Sequence, residues 1–260
     1  MVGWVLGSLL LMYLVLGGVA FFFSEQVIFQ PPDPSYQDNG EVVKLTTRDG
    51  EKISALYFPN SQATYTILYS HGNGTDLGYI RPLLIALQQL GFSVFAYDYR
   101  GYGTSDGTPS EHKTYEDIAA AYQYLTEVLR VPAQRIILYG HSVGSGPSID
   151  LATREPVAGV ILEGAFTSTF RVVTQISILP CDRFDNLSKI RSVRSPILVI
   201  HGTEDRVIPF SHAKQLYKQA NQPKQFVAIA GADHNDLMEV AGLKYRDALI
   251  EFVRLIEQTQ

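Results

Sequence analysis

The sequence predicts an α/β protein: a doubly wound, mostly parallel sheet of eight strands with a minimal cap, preceded by one N-terminal transmembrane helix. Three observations predict it. Short β-rich apolar runs alternate with helix-period segments, which implies parallel strands joined by right-handed crossovers. The runs at 67–72, 94–101, 136–142, 159–166 and 196–202 are apolar on both faces, as in a sheet covered by helices on both sides. Each glycine-rich cluster falls at the carboxyl end of such a run, where open sheets of this kind bind ligands.

Residues 2–23 are almost wholly apolar, and no charged side chain occurs before Glu25. About 20 such residues at ~1.5 Å rise span a ~30 Å hydrocarbon core. A cleaved signal peptide would need a basic start and a small-residue cleavage site; here no Lys or Arg precedes the apolar run, and three phenylalanines follow Ala20. The expectation is a single-pass anchor over 1–24, a juxtamembrane spacer over 25–41 and one α/β domain over 42–260. The lipid bilayer is thus an expected partner. The first basic residue after the anchor is Lys44, so the positive-inside rule leaves the side on which the domain lies open. Gly3 and Gly7 match a short small-residue contact pattern that does not decide oligomeric state. Pro31, Pro32 and Pro34 make the spacer stiff and extended.

The remaining chain reads as strands over 42–47, 53–58, 66–70, 93–97, 135–139, 159–162, 197–200 and 225–229. Helices fall at 77–89, 115–129, 143–153, 212–219 and 237–258. Between Phe166 and Pro196 there is room only for short cap helices, at 168–178 and 187–192. With 21 basic against 26 acidic residues and a net charge of −5, a nucleic-acid partner is disfavoured. One cysteine, Cys181, excludes an intrachain disulfide framework and a cysteine-based zinc site.

The chemistry centres on Gly140-His141-Ser142-Val143-Gly144, between a strand and a helix. In that context G-x-S-x-G is a nucleophile elbow. The turn is tight enough to strain the serine backbone, and Gly140 and Gly144 must be small to fit it. No G-x-G-x-x-G or G-x-x-x-x-G-K-[ST] phosphate loop is present. A serine needs a base, and the base an orienting acid. Asp205 follows the strand at 197–200 and His234 follows the strand at 225–229, in the order Ser, acid, His expected of this elbow. Glu204 and Asp233 read as solvated loop charges. His71, His141 and His201 read as loop-packing residues, and His112 and His212 lie on polar stretches.

An oxyanion hole needs two N–H donors. Val143 supplies one, and the loop His71-Gly72-Asn73-Gly74 the other, from Asn73 or next from Gly74. Phe166, Phe170, Val173, Ile176 and Leu179 are candidates for an acyl groove. No metal or organic cofactor is implied.

These features, with S-H-G-N-G at 70–74, D-Y-R-G-Y-G-T-S at 98–105, L-E-G-A-F-T-S at 162–168 and L-P-C-D-R-F-D-N-L-S-K-I at 179–190, resemble the α/β-hydrolase superfamily. With the anchor, they resemble its short-capped, membrane-anchored serine hydrolases, a group that includes protein depalmitoylases and is related to serine peptidases of the same fold. The resemblance implies an acyl-serine mechanism on a carboxylic ester or acyl thioester, lipidic or protein-linked. The alternatives are a serine peptidase with the same triad and, in a different class, an inactive membrane-tethered scaffold.

Overall fold

The computed structural model describes residues 2–174 and 182–259. The elements run α1 (Val2–Ile28), β1 (Val43–Thr46), β2 (Lys52–Phe58), β3 (Thr66–Ser70), α2 (Leu77–Gln89), β4 (Ser93–Tyr97), α3 (Glu111–Gln123), β5 (Ile136–His141), α4 (Ser145–Ala152) and β6 (Gly159–Glu163). They continue with α5 (Thr169–Thr174), α6 (Asn186–Lys189), β7 (Ile197–Gly202), α7 (Ser211–Gln219), β8 (Lys224–Ile229), α8 (Leu237–Ala241) and α9 (Leu243–Glu257).

The strands form one eight-stranded sheet in the order β1-β2-β4-β3-β5-β6-β7-β8. The β1–β2 and β2–β4 pairs are antiparallel, and every pair from β4 through β8 is parallel. The strands β3, β4 and β6 are buried along their whole length, because their period-2 alternation delivers apolar side chains to helix-covered surfaces on both sides. One cluster, including Leu68, Phe95, Leu138 and Phe184, packs beneath α3 and α4. The other, including Ile67, Tyr139, Leu249 and Phe252, packs beneath α2 and α9.

The boundaries move where caps and glycines intervene. The helix expected from 115 begins at Glu111, since Ser110 caps it by accepting from the Lys113 N–H at 3.2 Å. Its expected tail, Tyr124–Val128, is wound as a π-turn. The single helix expected over 237–258 is two, split at Gly242, whose φ of +52° is left-handed; glycine adopts that conformation without a Cβ penalty. Among the described residues, the cap between β6 and β7 holds only α5, α6 and the 3₁₀ turn Ile190–Ser192. Ile176, Leu179 and Cys181 lie outside the described residues, as does the side chain of Val173.

The N-terminal expectation needs correction. The described side chains of α1 do not make up a span long and apolar enough to cross a membrane, nor does any other helix among the described residues. The helix runs on past residue 24 to Ile28, and its last turns dock on the domain. Ser24 is buried and accepts from Arg183 Nε at 3.1 Å, the Phe21 carbonyl accepts from Arg183 Nη2 at 3.3 Å, and Ile28 and Phe29 join the core. Before those turns Leu9, Leu10, Leu11, Met12, Leu14, Phe22 and Phe23 are exposed. The spacer that follows is attached to the domain at Gln30, Ser35 and Tyr36.

One buried cation ties the antiparallel edge to the parallel sheet. Arg100 is fully buried, with Nε on Asp117 at 2.7 Å, Nη2 on Glu116 at 2.7 Å and Nη1 on Asp49 at 2.5 Å. Removing a partner from such an ion group leaves uncompensated buried charge. Arg100→Leu is therefore expected to cost about 3–5 kcal/mol of stability, measured by denaturant unfolding.

Candidate active site

The sheet delivers three side chains to one rim. Ser142 sits between β5 and α4 in a 3₁₀ turn, Ser142–Gly144, with a φ of +51°. This left-handed backbone is strained for a residue with a Cβ and persists only when its surroundings impose it. They do so through two glycines. A Cβ on Gly140 would meet the Gly144 carbonyl oxygen at 2.5 Å, and one on Gly144 would collide with the Ser70 carbonyl oxygen. The chain can thus turn from strand to helix within three residues and lift the hydroxyl above the sheet.

Asp205 follows β7, and its carboxylate is saturated with donors. Oδ1 accepts from the N–H groups of Val207 at 2.9 Å and Ile208 at 2.7 Å. Oδ2 lies 2.7 Å from His234 Nδ1 and 3.1 Å from His201 Nε2. Burial disfavours its charge, but the hydrogen bonds from His201, His234 and the Ile208 N–H outweigh that and hold the carboxyl well below the usual range. An ionised carboxylate only accepts, so His234 carries its proton on Nδ1. His234 Nε2 is then the acceptor for the Ser142 hydroxyl, 2.9 Å away. The chain Asp205–His234–Ser142 is a directed hydrogen-bond relay with the serine proton facing a free base.

The loop carrying His234 is braced from both sides. Asp233 accepts from Arg206 N at 2.9 Å and Arg206 Nε at 2.6 Å, and from the His234 N–H at 2.8 Å. Asp233 is therefore an ion-pair partner that holds the loop rather than a solvated charge, while Glu204 is exposed. A Cβ on Gly164 would press on His234 Cε1 at 2.9 Å, so β6 backs the imidazole edge.

Two histidines read as packing residues have closer relations to the site. His201 is buried and bonds Asp205 directly, with Nε2 also 2.9 Å from the Ile208 carbonyl oxygen. The His141 ring lies 5.3 Å from that of His234, and its Nδ1 is 3.1 Å from the buried carboxylate of Glu163. Glu163 also accepts from Tyr139 OH at 2.6 Å and Tyr245 OH at 2.5 Å. Only the position of each histidine next to a strand-end glycine hinted at this. His71 is buried with Nε2 3.2 Å from Asp98.

The loop after β3 lies against the serine: a Cβ on Gly72 would stand 3.4 Å from Ser142 Cβ and 2.8 Å from His141 Cδ2. Asn73 and Gly74 are exposed there, and Val143 is buried beside the nucleophile. The candidate groove residues divide. Phe166 is a core side chain, 4% exposed and edge-on to Phe184 at 6.1 Å, whereas Phe170 is half-buried. A cavity of about 450 Å³ opens beside the loop after β3, its apolar walls being Tyr79, Ile80 and Leu83 of α2 with Leu237 and Met238 of α8. Gly72, Asn73 and His141 border it. Among the described residues, no group of three or more His, Cys, Asp or Glu could hold a metal ion.

The comparisons with known proteins converge on one fold family. The chain is 36% identical to α/β-hydrolase domain-containing protein 17B of Homo sapiens, over 88% of this chain and 90% of that one. The chain belongs to the α/β-hydrolase superfamily. It is also 37% identical to α/β-hydrolase domain-containing protein aho-3 of Caenorhabditis elegans, over 82% of this chain and 72% of that one. The serine aminopeptidase S33 family matches residues 61–179. Among solved structures, an esterase of Pyrococcus furiosus superposes with a TM-score of 0.71 at 20% identity, covering 87% of this chain and 99% of that one. As an α/β-hydrolase, the protein carries the fold and sheet polarity expected for the relay it contains.

The depressed carboxyl of Asp205 has a signed consequence. A folded-state value below the unfolded ~3.9 stabilises the protein above that pH and loses the contribution as pH falls through the folded value. Asp205→Asn is expected to lower unfolding free energy at pH 7, with the gap to wild type narrowing below about pH 4. Urea unfolding at both pH values measures it.

Proposed function

We propose that the protein is a membrane-anchored serine hydrolase that cleaves carboxylic esters or acyl thioesters through an acyl-serine intermediate. The observation that carries this reading is the relay from Asp205 Oδ2 through His234 to Ser142 Oγ, at 2.7 and 2.9 Å, on an elbow whose backbone is strained. Ser142 Oγ attacks the acyl carbon while its proton passes to His234 Nε2. The oxyanion is met by the N–H groups of Val143 and Asn73, with Gly74 next in line. Asp205 stays ionised and balances the imidazolium. As the tetrahedral adduct collapses, the Nε2 proton goes to the departing oxygen or sulfur. Water, deprotonated by the same nitrogen, then cleaves the acyl-serine bond and regenerates the hydroxyl.

Several features support the finer parts of this reading. The stretch between β6 and β7 is short, which favours a substrate whose acyl group is attached to something large. The cavity between α2 and α8 has the size of a small-ligand site, with apolar walls from both helices beside polar groups such as His141 and Asn235, and it borders the loop that faces the oxyanion. The superposing structures include esterases from Pyrococcus furiosus and Rhodothermus marinus. The outward apolar side chains from Leu9 to Leu14 and at Phe22 and Phe23 suit lipid contact, so the proposed anchoring is by the apolar surface of α1 and not by a span across the bilayer.

A second reading, a serine peptidase with the same triad, is favoured by the match to the serine aminopeptidase family. Acyl thioesters and esters assayed beside aminoacyl amides separate the two, and we expect turnover of the former. Ser142→Ala is expected to lower turnover by about 10⁶-fold and to abolish fluorophosphonate labelling; labelling that persists in this variant would refute the nucleophile. Leu83→Trp, which fills the cavity, is expected to lower selectivity for long-chain over acetyl esters by about 10-fold. A Phe170→Trp variant that shifts selectivity in its place would put the acyl chain on the cap side.

A further inference from the structure

We infer that the segment joining α1 to β1 is a working part of the active site: Gln30 and Tyr102 position the oxyanion loop by gripping the Asn73 side chain. This rests on the reading of that loop as the oxyanion hole. Asn73 stands between Gly72 and Gly74, and the latter has a φ of +69°. Two flanking glycines leave the backbone little intrinsic preference, and the exposed asparagine is not held by burial. What holds it is one oxygen. Asn73 Oδ1 accepts from the Gln30 N–H at 2.9 Å and from Tyr102 OH at 2.6 Å, which occupies both lone pairs of the carboxamide oxygen.

Neither donor belongs to the loop. Tyr102 is fully buried, wedged beside the rings of His71 at 5.3 Å and Tyr99 at 5.6 Å. Gln30 lies two residues beyond the end of α1, and the rest of its segment is fastened to the same wall. Ser35 donates its N–H to Asp76 Oδ2 at 2.7 Å and its hydroxyl to Asp76 Oδ1. Asp76 in turn caps α2, accepting from the N–H groups of Gly78 and Tyr79 at 3.1 Å each. Tyr36 OH donates to Asp98 Oδ2 at 2.6 Å, and Asp98 Oδ1 accepts from the Leu77 N–H at 3.0 Å. A Cβ on Gly78 would collide with Ser35, so the strap and the first turn of α2 are in close contact.

The division of labour follows from chemistry. The backbone N–H of Asn73 faces the charge, and its side chain decides where that N–H points. Oxyanion donors act by being aimed in advance, and a misplacement of about 1 Å costs on the order of 10²-fold. Because the strap is continuous with α1, the attachment of the helix to the domain and the aim of the oxyanion donor are set by one stretch of chain.

The full-length protein tests this with a short-chain p-nitrophenyl ester. Gln30→Pro deletes the N–H donor, and Asn73→Ala deletes the acceptor while keeping the backbone N–H of residue 73. Tyr102→Phe deletes one hydroxyl and carries the same test if the proline variant fails to fold. Each is expected to lower kcat by about 10- to 100-fold with KM unchanged. Gln37→Ala, exposed on the same segment, keeps the wild-type kcat. Wild-type kcat in Asn73→Ala and Tyr102→Phe, alongside loss of turnover in Ser142→Ala, overturns the strap and leaves the nucleophile standing. Turnover that survives Ser142→Ala overturns the underlying reading itself.

Discussion

The Asp205 carboxylate is the constraint on which the site depends, because it takes four donors from three separate stretches of chain. His201 comes from the end of β7, Val207 and Ile208 from the turn after it, and His234 from the loop after β8. A buried carboxylate left with fewer partners would neutralise itself by taking up a proton. It would then no longer dictate the tautomer of His234. With all four donors in place it stays ionised, keeps the proton on Nδ1 and leaves Nε2 as the base. The parallel β7–β8 pairing brings those stretches together. It does so at close range, since a Cβ on Gly202 would run into the backbone of Ala232 and Asp233.

Strain at Ser142 is the second element of the same design. A non-glycine residue held at positive φ costs on the order of 1–3 kcal/mol, which must be offset by packing elsewhere. The offset lies in β5 and α4, where Ile136, Ile137, Leu138, Ile149 and Leu151 are fully buried. The sheet's interior thus supports a local conformation that the turn would not adopt alone. The resulting hydroxyl sits at the N-terminal end of a helix, where unpaired N–H groups favour developing negative charge.

Much of the fold could be read from the chain. Alternating apolar runs and helix-period segments marked all eight strands to within a residue or two, most plainly the central ones, where full burial on both faces leaves a near-continuous hydrophobic signal. Helix ends were less legible where a local residue overrode periodicity, as Ser110 does by capping and Gly242 by breaking. The N-terminal stretch misled in a different way. Composition marked it as apolar throughout, but not that Ser24, Ile28 and Phe29 turn inward onto Arg183 and Phe184. Phe166 likewise looked available for substrate because apolarity alone does not distinguish a core face from a groove.

By itself the sequence determined the nucleophile elbow, the order of serine, acid and histidine, and the sheet ends on which they stand. Each of these is a local property, written in glycine spacing or in the period of apolar residues. The tertiary structure alone decided the distances at which Asp205, His234 and Ser142 meet, that His201 and Asp233 brace them, and that Gln30 reaches Asn73 across 43 residues of chain. Those contacts depend on the relative placement of loops from different strands, and a backbone N–H used as a donor leaves no trace in residue identity.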